Sequence, residues 1–172
     1  DTAQLMSLSS GSIMETTVKA VKKGLKGEPG ELRGDFTVQR DVGTLTANTN
    51  GGIFGKVADA GFIDETQAIP VAAAGEVRCG PATILATVNG SDTREYQVEI
   101  LRLYGSDHDT RNLMLKVTDP QLLAATGGIV QGMSGSPILQ NGKFVGAVTH
   151  VLIDDPARSY GIFMENMLKM AG

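Results

Sequence analysis

The chain has 172 residues, one domain's worth, with 15 Lys+Arg against 19 Asp+Glu and a net charge of −4. That balance argues against a nucleic-acid binder, which carries a basic excess, and 41% apolar with 20% charged residues excludes a disordered chain. A single cysteine, Cys79, excludes an internal disulfide and offers no paired thiolates to zinc; it reads as a small buried hydrophobe. The 22 glycines, the absence of Trp and the 5% aromatic content describe a chain that turns often. Its interior must be filled with Val, Ile, Leu, Met and Ala, which favours many short strands over long helices.

The opening Asp1-Thr2-Ala3-Gln4-Leu5-Met6 has no initiator Met and no signal segment, and no 18-residue apolar run follows. The expectation is a piece of a longer protein. Residues 11–21 read as a strand, because Ile13, Thr16, Thr17, Val18 and Val21 are mostly β-branched. The glycine-rich run Gly24-Leu25-Lys26-Gly27-Glu28-Pro29-Gly30 then makes a turn. Lys19, Lys22, Lys23 and Lys26 have a helical spacing that suits an anionic membrane, but Gly24 and Gly27 argue against a helix and for a solvated strand end. Further short strands are predicted over 35–40, 43–46, 52–57, 68–74, 82–88, 96–103 and 113–117, with Asn89-Gly90 as a hairpin signal.

Two short helices are expected. Asp119-Pro120 through Gly127 combines an N-cap, a Pro at the first helical position and a terminal Gly; residues 165–170 form the second. No repeat, low-complexity tract or Pro/Ser-rich linker divides the chain, so residues 1–172 read as one all-β module, a barrel or sandwich.

The chemically informative segment is Gly132-Met133-Ser134-Gly135-Ser136-Pro137 and its continuation. Glycines around a serine let backbone amides converge on one point, which an oxyanion site requires. Ser134 would attack a carbonyl while the amides of Gly132 and Ser134 bind the developing negative charge. After Pro137 a hairpin is expected, with Asn141-Gly142 as its turn and 143–151 as a return strand lying along the substrate. A plain glycine-rich loop is the competing reading. Ser136 is the alternative hydroxyl, placed where a small residue packs behind the nucleophile.

A serine needs a general base, usually a histidine oriented by a carboxylate. His108 lies in a polar loop and reads as solvated. His150 lies on the return strand, 16 residues after Ser134, as a wall of the cleft. Asp119, 15 residues before Ser134, is the carboxylate candidate, and it is an equally good helix N-cap. Neither histidine has a Cys or His partner at ligand spacing, so neither a metal nor a cofactor is expected. A pocket floor six residues before the serine would be Gly128, with no charge to set a preference.

These residues carry a resemblance. The run from Gly127 through Ile138, Asn141-Gly142-Lys143-Phe144-Val145-Gly146-Ala147-Val148-Thr149-His150-Val151, Val117-Thr118-Asp119-Pro120 and Lys26-Gly27-Glu28-Pro29-Gly30-Glu31 resemble the SpoIVB serine peptidases, peptidase family S55, over nearly the whole chain. The resemblance implies a chymotrypsin-like double β-barrel with a His-Asp-Ser triad, the N-terminal part of the first barrel lying outside this chain. Ser134 matches the nucleophile and Asp119 the triad aspartate. The histidine is placed just ahead of Asp1, where neither His108 nor His150 matches it. Ala147, Val148, Thr149, His150 and Val151 would bind substrate. Met133 stands where digestive relatives carry Asp, so activation by an ion pair to a freed N-terminus is not expected.

The resemblance further implies a signalling protease of endospore-forming bacteria with an upstream membrane anchor and PDZ domain. It would be secreted across the forespore membrane into the space between forespore and mother cell. There it would cleave a membrane-held regulator of a membrane-embedded metalloprotease, and sometimes itself, to trigger late sigma-factor processing. The other function class is a protease-like docking module that holds an extended peptide without cutting it, which fits a chain that lacks the triad histidine. A structural β domain is the blandest reading.

Overall fold

The computed structural model describes residues 7–105 and 110–171. Nine strands and two helices make up most of this length. Strands β1 (Ser12–Lys22), β2 (Glu31–Thr49) and β3 (Gly52–Val57) form an open antiparallel sheet in the order β1-β2-β3. Strands β4 (Gly80–Thr87), β5 (Thr93–Leu103), β6 (Leu113–Val117), β7 (Pro137–Gln140), β8 (Lys143–Leu152) and β9 (Asp155–Phe163) close a six-stranded antiparallel barrel in the order β4-β5-β6-β9-β8-β7. Helix α1 (Pro120–Thr126) links β6 to β7, and α2 (Met164–Ala171) follows β9. The fold is all-β, as the sequence indicates, and the described residues make a closed barrel and a second, open three-stranded sheet.

The barrel interior follows the two-residue period of its strands. Ala82, Ile84 and Ala86 of β4, Tyr96, Val98 and Ile100 of β5, and Leu113, Leu115 and Val117 of β6 all point inward. Leu122, Ile129, Val130, Met133, Ile138, Val145 and Val148 complete the same core.

Several expectations need correction. The predicted strands at 35–40 and 43–46 are parts of β2, which pairs first with β1 and then, from Gly43 onward, with β3. Gly43 looks like a break but is required inside the strand: a Cβ there would stand 2.2 Å from the Lys56 carbonyl oxygen. Residues 68–74 are not a strand. Pro70 has no N–H to give, and the segment makes one bridge, Val71 to Phe144, before a 3-10 turn at Ala74–Glu76.

β9 has no counterpart among the strands expected from the sequence, and its Asp155, Pro156 and Gly161 are turn-favouring residue types. Pairing with β6 and β8 nevertheless holds it as a strand, with Ile162 and Phe163 buried. Asn89-Gly90 lies in the connection of the β4–β5 hairpin, as the sequence indicates. Residues 88–92 join β4 to β5, and Gly90 exchanges two hydrogen bonds with Val18 of β1, at 2.8 and 3.0 Å, tying sheet to barrel. Cys79 is exposed rather than buried, its Sγ 3.6 Å from the Leu101 carbonyl.

A second tie between sheet and barrel bears on the serine loop. Gly24 N donates to Thr126 O at 2.8 Å, Gln131 N to Gly30 O at 3.0 Å, Leu32 N to Gln131 O at 2.8 Å, and Gly27 N to Ile153 O at 2.9 Å. The glycine-rich turn between β1 and β2 is thereby clasped to the segment after α1. Its glycines are needed for that closeness. A Cβ on Gly30 would stand 2.4 Å from Gly24 N, and one on Gly127 2.3 Å from the Gly24 carbonyl.

Candidate active site

The loop from Gly127 to Ser136 runs from α1 to β7. Its interior anchor is Met133, 2% exposed in the barrel core. This explains an apolar residue beside the serine: the loop is pinned by burial rather than by an ion pair. Gly132 has φ +95° and Gly135 φ +93°, left-handed conformations that cost a side-chain-bearing residue about 1–2 kcal/mol.

Within this loop the amides divide into two sets. Met133 N donates to Val130 O at 3.1 Å, Gly135 N to Val148 O at 2.8 Å, and Ser136 N to Met133 O at 3.0 Å. The amides of Val130, Gly132 and Ser134 have no acceptor among the described residues; Val130 is buried in the core, whereas Gly132 and Ser134 are exposed. Two free donors at exposed positions, one of them on the residue that carries the exposed hydroxyl, form an arrangement suited to a developing oxyanion.

Ser134 is exposed, and its Oγ donates to the Thr149 carbonyl oxygen at 2.8 Å. That carbonyl lies where the pairing of β8 with β9 is interrupted between Val148 and Val151, an irregularity of the kind that re-aims backbone groups next to functional sites. Ser134, Gly132 and Ser136 together line a cleft of about 1220 Å³ between the open sheet and the barrel. The sheet contributes Met14, Glu15, Leu32, Arg33 and Phe36, and the barrel Leu85, Thr87 and Pro137.

Asp119 caps α1: its Oδ1 accepts from Gln121 N at 2.8 Å and Leu122 N at 3.0 Å, and its Oδ2 from Gln97 N at 3.2 Å. It is not among the residues lining the Ser134 cleft. Ala147 pairs with Pro137, and the Val148 amide and carbonyl are engaged by Ser136 and Gly135. Both side chains are buried, leaving Thr149, His150 and Val151 as the part of the return strand beyond the loop.

His150 lines a different groove of about 560 Å³ with Thr49, Asn50, Thr110 and Met170. Partial burial, and then the Arg111 guanidinium, hold its imidazole below the usual histidine range. His108 lies outside the described residues. Gly128 does not line the cleft; a Cβ on it would stand 2.2 Å from the Pro156 carbonyl oxygen, so it serves close packing.

Sequence reasoning missed the sheet side of the cleft. Phe36 and Phe62 lie about 100 and 70 positions from Ser134 in sequence, and only the docking of sheet on barrel brings them to the same cleft. Their sole local sign was aromatic character in a chain with 5 Phe.

A closed antiparallel barrel thus carries an exposed serine that lines a cleft, with its own amide and that of Gly132 unengaged. The chain belongs to the SpoIVB peptidase S55 family, whose model matches residues 1–168. It is a peptidase domain of the SpoIVB type. No curated protein and no solved structure matches it.

Proposed function

We propose that the chain is the catalytic module of a serine endopeptidase in which Ser134 is the nucleophile. The amides of Gly132 and Ser134 receive the carbonyl oxygen as it gains charge. The substrate backbone lies along Thr149, His150 and Val151 and continues into the cleft. The observation that carries this reading is that an exposed serine hydroxyl stands beside two unengaged amides at exposed positions, those on either side of Met133, one of them the serine's own.

The general base is a histidine that the family pattern places ahead of Asp1. The same pattern makes Asp119 its orienting carboxylate, delivered by the chain order His, Asp, Ser. Family membership supports the biological setting: secretion into the space between forespore and mother cell, and cleavage of a membrane-held regulator of a membrane-embedded metalloprotease, with self-cleavage in some cases. The test is cleavage of an unfolded protein substrate by the protein that includes the segment ahead of Asp1, followed by mass spectrometry. Fragments absent from the Ser134→Ala reaction are expected; identical fragments from both proteins would refute the assignment.

Two observations favour a second reading, a docking module that holds a peptide without cutting it. The Ser134 hydroxyl is donated to a carbonyl, and both Asp119 oxygens are engaged by backbone amides. That reading gives peptide binding with no fragments from either protein.

A further inference from the structure

Phe36 and Phe62 are 64% and 45% exposed, yet both line the cleft that holds Gly132 and Ser134. Phe36 stands on β2 opposite Thr16 of β1. Phe62 ends a 3-10 turn, Ala60–Phe62, that Asp59 caps by accepting from Gly61 N. Met14, Leu32, Leu85 and Pro137 extend the same apolar lining.

The charges in the cleft are spent on one another or on neighbours. Arg33 pairs with Glu31 at 3.0 Å, and Glu15 with Arg40 at 3.2 Å. The uncharged, unpartnered remainder of the cleft is aromatic and aliphatic surface together with the hydroxyls of Thr16, Thr37 and Ser136.

The cleft is continuous with the serine, which both lines it and contacts Thr149 on β8. A peptide paired with the end of β8 on one side of Ser134 would run between sheet and barrel on the other. We propose that this cleft is a selectivity site for an extended, uncharged peptide segment bearing bulky apolar side chains, with Phe36 and Phe62 as the residues that recognise them. What becomes of the bound peptide rests on the peptidase reading of Ser134; the selection itself does not.

The test uses the Ser134→Ala protein, which holds peptides without turning them over, and fluorescence anisotropy with three pools of labelled ten-residue peptides. One pool alternates Phe, Leu or Met with Ser, one is built from Asn, Gln and Ser, and one is rich in Asp and Glu. The apolar pool binds at least about tenfold tighter than the others, and Phe36→Ser and Phe62→Ser each weaken it by about tenfold, as expected for uncovering one ring. Leu168→Ser, at an exposed apolar position on α2, leaves the affinity unchanged. Equal affinity for the three pools, or parental affinity in both Phe variants, overturns the proposal. Fluorophosphonate labelling of the Ser134 protein carrying the histidine-bearing segment that the proposed function places ahead of Asp1, run in parallel, separates the two ideas. Apolar selectivity without labelling supports the cleft and removes the peptidase reading, whereas labelling without selectivity overturns the cleft proposal alone.

Discussion

Ser134 Oγ donates to the carbonyl oxygen of Thr149 at 2.8 Å, so the hydroxyl assigned as nucleophile rests on the strand that would receive the substrate. A hydroxyl in this position has to turn away from Thr149 before a base can take its proton. A backbone donor on an incoming peptide competes for the same carbonyl and would release the hydroxyl as it binds.

The exposed Ser134 side chain makes this one hydrogen bond, and an exposed neutral bond contributes about 1 kcal/mol or less. Ser134→Ala is expected to keep the thermal midpoint of the parent within a few degrees while losing all acylation. Differential scanning fluorimetry beside active-site labelling measures both.

Asp119 has a structural duty that can be separated from any catalytic one. Asp119→Ala removes the cap of α1 and the bond to Gln97, and is expected to cost about 1–2 kcal/mol in urea unfolding. Asp119→Asn keeps a carbonyl acceptor for the helix and restores part of that loss. If Asp119 also orients the triad histidine, the Asn protein falls by about 10⁴ in turnover while remaining folded.

Gly30 supports the serine loop from the sheet side. A Cβ there meets Gly24 N, Val130 Cγ1 and Lys22 O within 2.6 Å; two of these are backbone atoms that cannot swing aside. Gly30→Ala is expected to destabilise by about 3 kcal/mol. It should also slow labelling of Ser134, because Gly30 O holds Gln131 N. Chemical denaturation and labelling rate report the two effects.

His150 should titrate below the ordinary histidine value of about 6.5, because burial and then Arg111 disfavour its charged form. A folded-state value depressed below the unfolded one means that the folded protein binds fewer protons across the interval between them. The contribution is therefore present above about pH 6.5 and is lost as pH falls toward the folded value. NMR titration of the imidazole should show the low midpoint, and Arg111→Ala should move it upward.

Legibility in the sequence tracked how local each determinant is. Asn141-Gly142 gave the β7–β8 turn because both residues must take positive φ, and they do, at 53° and 73°. Asp119-Pro120 through Gly127 gave α1 for the same kind of reason, with the cap bonded and Gly127 at φ 77°. β9 was illegible because its strand state comes from neighbours on both sides rather than from its own residues. The free amides of Gly132 and Ser134 were legible in the glycine pattern. The clasp from Gly24 to Thr126 and the Phe36–Phe62 lining were not, because each depends on how the sheet docks on the barrel.

The most direct measurement is intact-mass analysis, after treatment with a fluorophosphonate, of the protein together with the histidine-bearing segment that the proposed function places ahead of Asp1. The account predicts a single adduct, mapped by peptide sequencing to Ser134 and absent from Ser134→Ala. A folded protein that takes up no adduct, or takes it up on another residue such as Ser136, would contradict it.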